Sequence, residues 1–521
     1  MTRKRSRASK SKTSQLEAKL DSIVSLLQTN QSSTSANILA EWGSAASSTP
    51  NSSETNSMPF DDGCHSDPTS SPGYSTIMEY CQSIPIPLKE SEKLICQFRS
   101  QNLKSLPFIY LPTHLTSPQL RQEKPFLWLC IMAVTVPGNN ERDILFKKVT
   151  EIIRQELLVS ITSSMDMLLG VMTFISWTTF SKKPFLNFYS HMILGILCDL
   201  GLNKAPFKEL STMQAFKCAV GWKLPVLIER TLEERRAALG VFLITSSVAS
   251  AICKIDAMRW NSYMEECLVV LTDGKECPED EILVSLVKIQ VIIDKVYHLR
   301  RDGYIDPPPQ FYTHSFQSQL DSVKAELPQH AREDRTVHMY ISSAELVIHE
   351  SEMQTPLMSN SPELHRLEGL YTALHASKAW FDNWFTAFPK GYKGVPFTIV
   401  FQFGRALISL YNLSTLDDPT WDKTTVRNTA NVLEILERLV TSMTTLPDSI
   451  SGSPDEHLYE KGVKMMESIK KSWEPKLMET WFPSIPANTM GGEFVPNPSL
   501  QEVLPMNGFD DYWMVEIFGS L

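Results

Sequence analysis

Between Pro278 and about Arg300, the apolar residues Ile282, Leu283, Leu286, Val287, Ile289, Ile292, Ile293, Val296, Tyr297 and Leu299 fall on nearly every side of a helix. A helix without a polar face cannot lie on a surface, so this one must run deep inside a core built from other elements. Pro278 suits a first helical position, and Glu279, Asp280 and Glu281 set negative charge against the positive helix end. Similar punctuation recurs along the chain. Thr231, Leu232, Glu233, Glu234 spells a capping box that opens a helix carrying Arg235 and Arg236. Ser361, Pro362 and Glu363 open another, leading to the aromatic group Trp380, Phe381, Trp384 and Phe385. Alternating strand patterns are scarce, and no repeat of roughly 20–50 residues is evident. The predicted fold is therefore all-α, with a large helical body over residues 77–477.

The flanks differ from this body. Residues 1–13 form a basic segment, 14–28 a short coiled coil, 29–76 a disordered linker, and 478–521 a proline-rich linker with an acidic and aromatic tail. The linker is rich in Ser, Thr and Asn and has too few large apolar residues to offset its ordering entropy. A second loosening is expected near Pro475, followed by Pro483, Pro486, Pro496, Pro498 and Pro505.

Charge is unevenly spread. The formal net charge is −10, yet the first dozen residues carry Arg3, Lys4, Arg5, Arg7, Lys10 and Lys12 with no acid among them, leaving about −16 for the remainder. Such a cluster reads as a nuclear import signal, a contact to the DNA backbone, or an inert tail. Six cations neutralising six phosphates would give a log-log salt slope near about −5, but no sequence readout. The cluster runs into Leu16, Leu20, Ile23 and Leu27, spaced as a two-heptad dimerisation seam. A helix this short is marginal alone, so a paired coil and a lone amphipathic turn docked on the body both remain open. At the other end, Phe509, Asp510, Asp511, Tyr512, Trp513, Ile517 and Phe518 mix bulky apolar groups with acids. If this tail coils, Phe509, Trp513 and Ile517 share one stripe suited to a partner groove; the alternative is docking of Trp513 onto its own domain.

Catalytic spellings are missing: there is no GxGxxG after a strand, P-loop, GxSxG or HExxH. His349 and Glu350 adjoin without a second histidine at metal-ligand spacing and read as a surface pair. His330, His338, His365 and His375 read as ordinary polar residues. The nine cysteines have scattered spacings; Cys267 and Cys277 lie ten apart, not as a CxxC pair, and the set reads as reduced core thiols. The apolar run from Ala237 to Cys253, about 17 residues with Thr245, Ser246, Ser247 and Ser250 inside it, reads as a buried core helix rather than a membrane span. No secretory signal follows the basic N-terminus. Neither an enzyme nor a membrane protein is expected.

Four stretches point to a family: PFLWLCIMAV at 125–134, RTLEERRAALG at 230–240, DAMRWNSYMEECL at 256–268 and PEDEILVSLVKIQ at 278–290. Together they resemble the middle regulatory region of fungal zinc binuclear cluster transcription factors, most specifically in RTLEERRA and YMEECL, and the likeness thins after Leu299. The arm from Gln15 to Gln28 resembles the linker and coiled coil of that family, and the tail resembles its activation segments. The resemblance implies a nuclear regulator of metabolic or secondary-metabolite genes. It also implies zinc, held by six cysteines in a CxxC-bearing module ahead of the linker. No cysteine precedes Cys64 and none can be assigned that role, so no cofactor is expected. DNA contact is then weak or indirect, and the expected partners are transcriptional co-regulators and a second copy or an intact zinc-cluster factor, unless the chain is a truncated product. The other reading is a ligand-sensing or scaffold-type helical regulator that does not bind DNA directly.

Overall fold

The computed structural model describes Ile77 and residues 84–178, 185–206, 229–252, 254–274, 276–301, 309–354, 363–388, 394–445 and 456–482. The chain divides into two units, Met1–Ser66 and Asp67–Leu521, and every described residue lies in the second. The basic segment, the leucine seam, the whole of the 29–76 linker and the acidic aromatic tail fall outside the described residues.

Every regular element among the described residues is helical. The principal helices are α1 (Leu88–Gln97), α2 (Ser117–Glu123), α3 (Pro125–Thr135), α4 (Asn139–Ile153), α5 (Met165–Trp177), α6 (Leu186–Asp199), α7 (Leu232–Ile252), α8 (Ser262–Gly274), α9 (Glu279–Arg301), α10 (Pro309–Ala325), α11 (Arg335–Ile348), α12 (Glu363–Ala387), α13 (Phe397–Thr415), α14 (Val432–Thr444) and α15 (Glu456–Trp481).

Helix α7 is the hub, packing against α5, α6, α8, α9 and α13. Around it α3 lies on α5, α9 on α11, α11 on α12, and α12 on α13, while α14 and α15 pair. The sequence explains this depth. Helices α3 and α5, and α7 beyond its charged first turn, are apolar nearly all round, and Phe126 to Ala133 and Ala237 to Ile244, Gly240 included, are almost wholly out of contact with water. Of the candidate span within α7, 94% is buried inside the protein, as a core helix requires. A Cβ on Gly240 would stand 2.7 Å from both Met172 Cε and Phe108 Cβ, so the close approach of neighbouring chain at this point needs glycine.

The helix starts follow local chemistry. The Thr231 capping box forms: the Thr231 amide donates to Glu234 Oε2 at 2.7 Å, and the Glu234 amide donates to Thr231 Oγ1 at 3.2 Å. Asp334, Asp422 and Asn431 cap three further helices. Helix α9 starts with three acids and ends with His298, Arg300 and Arg301, matching its dipole at both ends. The aromatic group forms one buried cluster, with Trp380 stacked on Trp384 at 5.4 Å and Phe403 packed against both Trp380 and Phe381.

One expectation is corrected here. The chain does not loosen at Pro475, because α15 continues through that proline to Trp481. A proline costs a helix one hydrogen bond and some steric relief, and packing against α14 and the stack of Trp473 on Tyr411 at 4.3 Å outweigh that loss.

Candidate functional site

The stretches singled out in the sequence meet at the N-terminal end of α7. Arg236 points into the core and holds Asp280, the second residue of α9, through a two-pronged pair of hydrogen bonds at 2.6 and 2.9 Å; a third bond goes to Glu276. Burial works against the charge on Arg236, and these carboxylates more than restore it, raising its pKa. The ring of Tyr110 lies 5.4 Å from the same guanidinium. Arg235, one position earlier, turns to α8: it donates to Glu266 at 3.0 Å and to Cys267 Sγ at 3.8 Å. Arg230 donates to the Gly201 carbonyl at 2.8 Å, and Glu233 pairs with Lys124 just before α3. RTLEERRA, YMEECL and PEDE are therefore parts of one device, in which successive residues of a single helix start each fasten a different neighbour.

Asp166 completes this end. It lies on α5 and accepts the amides of Phe126 and Leu127 at 3.0 and 2.8 Å, so one helix supplies the N-terminal cap of another. Burial pushes its carboxyl up to about 6, against the opposing pull of the two amides and of Lys124.

A second polar centre lies at the opposite ends of α7, α9 and α11. Glu350 Oε2 accepts from Arg300 at 2.6 Å and from Arg405 at 3.1 Å. Arg405 also donates to the Ser250 carbonyl at 3.1 Å, and Arg300 to the Val347 carbonyl at 2.6 Å. Two cations thus sit against the negative C-terminal ends of α7 and α11. Beside them His349 Nε2 stands 3.3 Å from Gln317 Oε1, and His349 Nδ1 stands 3.8 Å from Glu352 Oε1. Burial would lift the Glu352 carboxyl, but the His349 ring and Arg300 bring it below its ordinary value. Arg366 joins the Glu352 carbonyl to Asp418.

This centre overturns the reading of His349 and Glu350 as a surface pair: each is only 7% exposed. Adjacency in sequence does not report that three helix ends and α13 close over them. Arg300, Arg405, Arg366 and Asp418 were missed as well. Arg405 did carry a signal, as the lone cation in the apolar run from Phe397 to Leu410. Of the thiols, Cys130, Cys267 and Cys277 are buried as expected, and burial pushes Cys277 up to about 12; Cys96 and Cys198 are exposed, unlike core thiols. Among the described residues no group of three or more His, Cys, Asp or Glu is placed to hold a metal, so they do not fit a zinc cluster. A shallow groove of about 440 Å³ opens beside Ile86, Leu88 and Trp128, whose indole donates to Ser117 Oγ at 2.9 Å.

A family model described as ATEG07667_C, C-terminal domain, matches residues 389–521, beyond the stretches quoted from the sequence. The chain is 33% identical over 403 residues to the transcription factor opdL of Penicillium oxalicum, covering 74% of this chain and 71% of that protein. It is 26% identical over 380 residues to a transcription factor of Aspergillus terreus, covering 69% of this chain and 56% of the relative. With the transcription factor himD of Aspergillus japonicus it shares 25% identity over 309 residues, 57% of this chain and 50% of the relative. It thus spans about half the length of the last two. No solved structure matches.

Proposed function

The chain belongs to the family of fungal transcription factors that includes opdL, and from that premise we propose that it acts in the nucleus as a regulator of metabolic or secondary-metabolite genes. The observation carrying this reading is a likeness that takes in most of the chain and far exceeds the length of any single motif. The helical body supplies a stable platform, and its polar centres tie helices together instead of exposing reactive groups to a substrate. Regulation then falls to the flanks. Arg3, Lys4, Arg5, Arg7, Lys10 and Lys12 direct import or hold phosphates. Leu16, Leu20, Ile23 and Leu27 pair with a second copy or with an intact zinc-cluster factor. Phe509, Asp510, Asp511, Tyr512, Trp513, Ile517 and Phe518 engage co-regulators.

Deleting the gene is expected to change the transcripts of a coherent gene set, and a fluorescent fusion is expected to collect in nuclei. An unchanged transcriptome and a cytoplasmic fusion would sink the proposal. Replacing Leu20 and Ile23 with Lys should abolish promoter occupancy, measured by chromatin immunoprecipitation. Trp513→Ala with Phe518→Ala should cut reporter output while the thermal midpoint stays in place.

A further inference from the structure

We propose that the outer face of α6 is a docking surface for the same face of a second copy of this chain, the two helices running antiparallel and crossing at Gly195.

From Phe185 to Cys198 the sequence holds no Asp, Glu, Lys or Arg. A helix so apolar belongs inside a core, yet α6 buries one side only, through Leu186, Tyr189, Ile193, Ile196 and Leu197. Phe188 is 52% exposed, Phe185 just ahead of the helix is exposed too, and Met192 is half-buried. His191, Gly195, Cys198 and Asp199 are also exposed. Phe188, Met192, Gly195 and Asp199 follow one another by four, three and four positions, the spacing of a seam between two paired helices.

Gly195 is the anomaly on this face. Gly240 is required by Met172 and Phe108, whereas a Cβ on Gly195 would meet no described atom within 4 Å. Glycine weakens a helix, and nothing among the described residues requires it here. A second helix crossing at this point does, because the missing side chain lets the two backbones approach closely.

The face is also complementary to itself. In an antiparallel pair centred on Gly195, His191 of each copy lies opposite Asp199 of the other, and Met192 lies opposite Cys198. The only acid of α6 thereby meets its only basic side chain. Phe185 and Phe188 of one copy then arrive at the C-terminal end of the other copy's helix. That end carries apolar surface: Leu158, Val159 and Ile161 are all exposed, and Ser163 Oγ donates to Asp199 Oδ2 at 3.0 Å, fastening their turn to α6. Ile161 is held at φ 53°, a left-handed conformation that a β-branched residue resists, with its side chain 78% exposed. Strain that sets an apolar side chain in water does nothing for the isolated chain and supplies a contact to a partner.

The test is sedimentation velocity of the full chain carrying Leu20→Lys and Ile23→Lys, so that the N-terminal seam contributes nothing. One helix face and a turn are small against the roughly 800 Å² per partner of a stable complex, so the dimer should be evident at about 50 µM and dissociate on dilution. A chain that stays monomeric at that concentration overturns the proposal. In the same background Gly195→Leu should weaken association at least about tenfold, while the thermal midpoint of the dilute, monomeric chain holds or rises. Undiminished association overturns the proposal, and so does a lowered midpoint, which would mean that the glycine serves packing inside the chain. His191→Asp sets like charges against Asp199 and should also weaken association; adding Asp199→His should restore most of it. Met192→Cys should form an intermolecular disulfide with Cys198 under mild oxidation, whereas a link between the two copies of position 192 would overturn the antiparallel seating. Association is read without DNA or transcription, so its failure leaves the regulatory reading standing.

Discussion

At Asp166 one carboxylate must both cap α3 and survive burial. Its folded pKa of about 6 lies above the ordinary carboxylate value, so its contribution to stability is full below about pH 3.9 and is lost as pH rises through 6. Asp166→Asn removes that titration while keeping one accepting oxygen. The stability advantage of wild type over Asp166→Asn should therefore shrink between pH 4 and 7, by up to about 3 kcal/mol. Urea midpoints of both proteins across this range decide it; a constant gap refutes the account. Arg236 poses the simpler case. Arg236→Ala leaves Asp280 buried without its partner and should destabilise by about 3–5 kcal/mol, whereas Asp280→Asn in the Arg236→Ala background should recover part of the loss. A double variant that loses as much as Arg236→Ala and Asp280→Asn added together would show that the pair is not coupled. That Arg235 and Arg236 lie in an apolar helix was legible in the sequence. Which acids they reach was not, because Glu266, Glu276 and Asp280 come from segments 30 or more positions away.

At the scale of single elements, the start of α7 and the acidic start of α9 were readable because caps and dipoles act within one turn of the chain. Pro475 was misread because a proline's local preference was weighed without the partner helix against which α15 continues through it. Gly240 tests how tightly α7 is packed. Gly240→Ala improves helix propensity by about 1 kcal/mol but drives a methyl into Met172 and Phe108. Met172 is flexible, whereas Phe108 Cβ moves only with its backbone, so overpacking should win and lower stability by about 1–3 kcal/mol. A raised thermal midpoint would mean that the neighbouring segment yields readily.

For the molecule as a whole, Arg405 has consequences beyond its helix. It lies in the region matched by the C-terminal family model, yet it bonds to Glu350 and to the end of α7. Arg366 and Asp418 bridge the same boundary, as does the Trp177 indole, which donates to the Gly394 carbonyl at 2.9 Å. The middle and C-terminal regions should therefore unfold together. Arg405→Met should make amides of residues 397–482 exchange markedly faster than those of α3 and α5, as read by hydrogen-exchange mass spectrometry; uniform acceleration would show that the regions still open together and that Arg405 is not what couples them. The sequence by itself determined the fold class, the buried run of α9, the capping box of α7 and the family, because these rest on periodicity, on one-turn contacts and on residue spelling. Only the tertiary structure decided that His349 and Glu350 are interior, and that RTLEERRA, YMEECL and PEDE work as one device. The physical reason is that burial and charge pairing are set by groups distant in the chain, and local pattern holds no record of which distant group will arrive.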